Sequence, residues 1–127
     1  MNLPPKNTPI TSTELIEYCI KFGGLEKEIQ SLLENPPKKP FVFDGASCYP
    51  EWANEILNLD EMAFRHDVKY YIGGTSKQRL IADAYMIIDA IELCGCTIEQ
   101  AMFLFNMVRI GGSDKFDTSW KWGNGWG

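Results

Sequence analysis

Three features of the 127-residue sequence predict an all-α protein. Helix-start signatures recur, and Thr11-Ser12-Thr13-Glu14, Thr75-Ser76-Lys77-Gln78 and Thr97-Ile98-Glu99-Gln100 each have capping-box spacing. Asn58-Leu59-Asp60-Glu61 is a looser version of the same signal. Behind these starts run segments of about 10 to 17 residues with apolar side chains at helical spacing. Paired glycines stop three of the segments, as expected where a helix ends in a left-handed residue.

In order along the chain, Leu15, Tyr18, Cys19 and Phe22 define a short first helix, halted by Gly23-Gly24. A second short helix spans roughly 25–34 and stops before Asn35-Pro36-Pro37. The proline-lysine stretch 36–40 is a connector, and residues 41–50 form a short extended entry into a turn-rich loop. A helix over 59–72 ends at Gly73-Gly74; helices over 76–93 and 98–110 follow, the last stopped by Gly111-Gly112. The first two of these three longer helices share a tight connection and should pack as antiparallel neighbours. On helix 76–93 the apolar stripe reads Leu80, Ala84, Ile87 and Ile91, with Asp83 at its edge. Asp89 falls on the wetter side with Gln78, Ala82, Tyr85 and Glu92. Met102, Phe103, Phe105 and Met107 are expected in the core. Three of the four tryptophans, Trp120, Trp122 and Trp126, stand among glycines in the last fifteen residues. That tail either covers the core, is disordered, or touches a membrane.

Composition narrows the function classes. Hydrophobic residues make up 45%, a globular proportion, and the length suits one domain. A net charge of −5 argues against nucleic-acid binding and against charge-driven docking on anionic membranes, while neutral lipid surfaces stay open. No apolar run approaches the roughly 20 residues of a membrane span, and no signal-peptide core is visible near Met1. The expected location is cytoplasmic or, for a delivered effector, a target cell; it is extracellular if a signal has been removed. Cys19, Cys48, Cys94 and Cys96 are too scattered for a disulfide scaffold, and free structural thiols are expected.

Chemistry concentrates around the sole histidine, His66, in Phe64-Arg65-His66-Asp67-Val68-Lys69-Tyr70. An imidazole can deprotonate water near neutral pH. On a helix His66 and Tyr70 share a face, while Asp67 is turned away by about 100° toward a neighbouring loop. The loop at 43–48 can meet it, because the Asp44 carboxylate and the backbone at Gly45 offer the hard oxygens that calcium prefers. A working histidine needs its second ring nitrogen held, and Asp83 on the antiparallel helix is the better-placed carboxylate. Plainer readings stand beside these: His66 and Asp67 as a surface pair, Arg79 and Asp83 as an i,i+4 salt bridge, Asp44-Gly45 as an ordinary turn.

Arg65-His66-Asp67-x-x-Tyr70 resembles the HDxxY helix of the phospholipase A2 superfamily, and the ordered set around it resembles the small bacterial and fungal members. The matching pieces are Phe43-Asp44-Gly45-Ala46, Ala63-Phe64-Arg65-His66-Asp67, Arg79 to Asp83, and Phe105-Asn106-Met107-Val108-Arg109-Ile110-Gly111. The likeness covers 41–112, leaving 1–36 as an N-terminal helical segment and 113–127 as a tail within one domain of 1–127. It implies a phospholipase A2-like fold and calcium-dependent hydrolysis of the sn-2 ester of glycerophospholipids. In that role His66 is the base, Asp83 orients it, Tyr70 bonds the aspartate, and Asp67 binds calcium with Asp44 and the Gly45 carbonyl. It further implies a phospholipid membrane surface as partner, a monomer, and room for an inhibitor or immunity protein if the domain is a toxin or effector. Those members usually join a loop cysteine to a helix cysteine, whereas Ala46 and Ala63 stand here; the YxGxG type of calcium loop is not recognisable. The alternatives are an inactive module of this fold that binds protein or lipid, and a metal-dependent hydrolase of another ester.

Overall fold

The computed structural model describes residues 2–46, 49–113, 115 and 118–127. Among them the chain is all-α, with α1 Ser12–Phe22, α2 Glu26–Glu34, α3 Leu59–Ile72, α4 Ser76–Glu92 and α5 Ile98–Gly111. Short 3-10 turns lie at Glu51–Glu55 and Asn124–Trp126, and one antiparallel bridge joins Ile10 to Phe41. Thr11, Thr75 and Thr97 each close both bonds of a capping box, which is why α1, α4 and α5 begin where the sequence predicts. Each such cap is worth about 1 kcal/mol.

The fourth start differs. Asn58 takes a left-handed conformation, φ 60°, and makes no capping bond. Its side-chain amide instead donates to the Leu93 carbonyl at 2.9 Å, tying the start of α3 to the end of α4.

Helix α3 is the shared wall of two apolar clusters. Ala63, Phe64, Val68 and Tyr71 pack with α1, α2, Phe41 and Phe43. Leu59 and Met62 pack with Ala53, Met86, Ala90 and the inner face of α5. Phe64 is the hub of the first, with Tyr18, Phe22, Phe41 and Phe43 around its ring at centroid distances of 5.2–6.4 Å.

The buried faces of α4 and α5 are not the expected ones. On α4 the residues inside are Ala82, Asp83, Met86 and Ala90, while Leu80 and Ile91 of the expected stripe are 47% and 38% exposed. Ala84 is exposed too, and Ile87 only half-buried. On α5 they are Ala101, Leu104 and Val108; Phe103 is 52% exposed, Met102 is also exposed, and Phe105 and Met107 are half-buried. The reason is close packing: alanines let helix axes approach, so the bulky aliphatic side chains are left on the outer face. Asp83 therefore lies at the centre of the α4 contact rather than at its edge.

Of the three readings of the tail, covering the core is what its described residues do. The last carbonyls of α3 lack helical partners, and residues of the tail supply them. Gly123 N donates to Tyr70 O at 2.8 Å and the Trp126 indole to Ile72 O at 2.8 Å. The Trp122 indole reaches Gly74 O at 2.9 Å, and its ring stands edge-on to Tyr70 at 5.0 Å.

Cys19, Cys94 and Cys96 are free and buried, as expected of structural thiols; Cys48 and Ser47 lie outside the described residues. Burial pushes the Cys19 and Cys94 thiols up to about 12, so neither is a nucleophile near neutral pH. Ala63 is buried in the first cluster and Ala46 packs against both.

Candidate active site

His66 and Tyr70 lie one turn apart on α3, their rings tilted together with centroids 4.3 Å apart. Both face Asp83, whose carboxylate is fully buried. Oδ1 meets His66 Nε2 at 2.8 Å and accepts the Tyr70 hydroxyl at 2.7 Å. Oδ2 accepts Arg109 from α5 at 2.7 Å. Burial alone pushes the Asp83 carboxyl up, but the His66 and Tyr70 hydrogen bonds, the imidazole and Arg109 outweigh it and hold it below the usual carboxylate range. Asp83 is thus an anion with both oxygens engaged.

Burial lowers the histidine pKa and prevails over the raising pull of Asp83, with Lys69 and Arg79 adding to the lowering. The imidazole is therefore neutral near pH 7. Because Asp83 is ionised, Nε2 carries the proton and Nδ1 keeps its lone pair. Burial, then Asp83, push the Tyr70 phenol far above its ordinary value, so it serves as a donor and never as an acid.

Beside His66 is a cavity of about 20 Å³, lined by Asp44, Gly45, Tyr49, Asp67, Val108 and Trp120 as well. It has room for about one water molecule. A larger cavity of about 430 Å³ shares Asp44, Asp67 and Trp120 with it and extends to Lys39, Phe41 and Asn124.

Asp67 is half-buried and meets the 41–46 segment, as its rotation from His66 implied. Burial, and then the charge of Asp44, raise its carboxyl pKa well above the ordinary value. No hydrogen bond from a described residue opposes that rise. Two carboxylates facing one cavity suit a hard cation. No group of three or more acidic, histidine or cysteine residues that could hold a metal occurs among the described residues. A calcium ion held here would need backbone carbonyls and water to complete its six to eight oxygens. Gly45 supplies a backbone position that few other residues tolerate, at φ +74° and with the Lys6 side chain 2.9 Å from where a Cβ would stand.

All six sequence-selected residues line or support one place: His66, Asp83 and Tyr70 as a bonded group, Asp44, Gly45 and Asp67 across the small cavity. Two arginines complete it. Arg79 is not the i,i+4 partner of Asp83; its Nε donates to the Tyr70 hydroxyl at 3.1 Å and its Nη2 to the carbonyls of Val108 and Arg109. The cation on Asp83 is Arg109, 26 residues away in sequence. Nothing local marks Arg109; its place in the Phe105–Gly111 stretch that carries the resemblance is the one available signal.

Gly112 lets this group close. A Cβ there would stand 2.5 Å from Tyr70 Cε2 and 2.8 Å from its hydroxyl. Trp122 also packs edge-on against the Tyr70 ring at 5.0 Å, and the ring's hydroxyl is bonded to Asp83, so a shift to make room would disturb both contacts. Gly112→Ala should therefore lower stability by about 1–3 kcal/mol, the usual result of overpacking. Thermal unfolding checks this, and an unchanged midpoint would contradict the packing described.

Compared with protein-family models, curated proteins and solved structures, the chain shows no significant match.

Proposed function

We propose that the protein is a calcium-dependent carboxylic ester hydrolase of the phospholipase A2 type, acting on the sn-2 ester of glycerophospholipids. The observation that carries the proposal is the neutral histidine fixed by a buried aspartate, facing a water-sized cavity whose other wall carries the Asp44 and Asp67 carboxylates. The resemblance in the ordered motifs supplies the substrate class.

In this reading His66 Nδ1 takes a proton from water as its oxygen attacks the ester carbonyl. The Nε2–H bond to Asp83 stabilises the imidazolium that forms. The tetrahedral species then expels the glycerol oxygen, which receives the proton back from His66. A fatty acid and a lysophospholipid leave, and the histidine is neutral again. Asp67, Asp44 and the Gly45 carbonyl would hold calcium, which would supply a Lewis acid for the carbonyl oxygen. The larger cavity beside Asp67 is where the rest of the substrate would lie. Its net charge of −5 suits the protein to zwitterionic surfaces better than anionic ones.

Vesicles of phosphatidylcholine carrying a labelled sn-2 chain, assayed with calcium and with chelator, test the proposal. Labelled fatty acid released only with calcium is the expected result. Release that ignores the chelator would remove the cation from the mechanism. No release from any phospholipid, with calcium still bound, would favour an inactive module of the same architecture.

A further inference from the structure

We infer that Arg109 is a positioning residue for His66, which it controls through Asp83 without touching the imidazole. The hydrogen bonds form a closed ring across three helices. Arg109 donates to Asp83 Oδ2 at 2.7 Å, and Tyr70 donates to Oδ1 at 2.7 Å. Arg79 donates to the Tyr70 hydroxyl at 3.1 Å and to the Arg109 carbonyl at 2.6 Å, which returns the ring to its start. The backbone that carries Arg109 is thus held by the residue that also holds Tyr70.

A carboxylate turns easily about its terminal bond. Asp83 could present either oxygen to His66, or neither, if only one of them were held. The charge-assisted bond from Arg109 occupies Oδ2, so Oδ1 faces His66 Nε2. That direction selects the tautomer with Nε2 protonated and leaves Nδ1 for the small cavity. Arg109 also supplies the positive charge that a fully buried carboxylate requires, so the imidazole need not supply it. A lysine can replace the contact, because a single guanidinium nitrogen makes it. A neutral amide cannot replace the charge.

The kinetic part of the test rests on the hydrolase reading, whereas the spectroscopic part does not. His66 is the chain's one histidine, so a ¹⁵N-histidine-labelled sample reports a single imidazole. At a fixed pH of about 8 the wild type should show protonated Nε2 and bare Nδ1. Arg109→Gln should show a mixture of tautomers and a kcat about 10- to 100-fold lower, the range found when a residue orienting a functional imidazole is lost, with KM little changed. Arg109→Lys should restore both. A wild-type spectrum in Arg109→Gln, or a lysine variant no better than the glutamine one, would overturn the inference. Should Arg109→Gln fail to fold, the folded lysine variant decides: a single Nε2–H tautomer supports the role and a mixture refutes it. If the wild type hydrolyses no phospholipid, the tautomer comparison still settles Arg109 while the proposed function fails.

Discussion

His66→Gln is expected to lower calcium-dependent fatty-acid release by about 10²- to 10⁴-fold, the usual contribution of a general base, without unfolding the protein. Glutamine is the informative replacement because its side-chain amide can still donate toward Asp83 Oδ1, which His66 Nε2 meets at 2.8 Å. The buried carboxylate then keeps three donors, with Tyr70 and Arg109 unchanged. Alanine would open a void and strip one partner from a buried anion, mixing lost chemistry with lost stability. The chain has no second histidine to substitute. The thiols of Cys19 and Cys94 are pushed up to about 12 by burial and cannot take over as bases. Initial rates on phosphatidylcholine vesicles, with circular dichroism as the control for folding, are the measurement. A glutamine variant that is folded and retains wild-type release would mean that water is activated elsewhere.

Much of this arrangement is legible in the sequence, and the parts that are not share a common cause. Helix starts at Thr11, Thr75 and Thr97 depend on residues three positions apart, so sequence alone locates them. The choice of Asp83 over Asp89 followed from the cost of burying a charge without a partner. Asp89 lies half-buried on the same helix, and burial raises its pKa, but the carboxylate bonded to His66 is Asp83. Which face of a helix is buried is a different matter, since it depends on the neighbour. Counting bulky side chains picked Leu80 and Ile91, yet Ala82 and Ala90 are the residues that let α4 approach its partners. The same holds for the cation on Asp83. Arg79 was the near candidate at i,i+4, and only the packing of α5 brings Arg109 closer. The tail could not be placed from sequence because its role is to satisfy carbonyls at the far end of α3, about 50 residues upstream (48 for Trp122 to Gly74, 54 for Trp126 to Ile72).

Asp67→Asn should have opposite effects on stability with and without calcium, and this separates a cation site from an ordinary surface carboxylate. In chelator the wild type carries two carboxylates on one small cavity, and burial and Asp44 both disfavour the Asp67 charge. Asparagine has nearly the same shape and no charge, so the variant should unfold at a higher temperature. At this chain length each kcal/mol of relief corresponds to about 4 °C. Added calcium should reverse the order. It binds only the folded wild type and stabilises it by RT ln(1 + [L]/Kd), about 2.7 kcal/mol at a hundredfold excess over Kd, whereas the variant gains little. Activity should follow, with Asp67→Asn losing about 10²- to 10³-fold, comparable with the removal of one electrostatic stabiliser of a developing oxyanion. Midpoints measured in chelator and in millimolar calcium decide the matter. A variant less stable than wild type in chelator would show that Asp67 already has a favourable partner. A wild type whose midpoint ignores calcium would remove the ion from the cavity and with it the calcium-dependent part of the proposed mechanism.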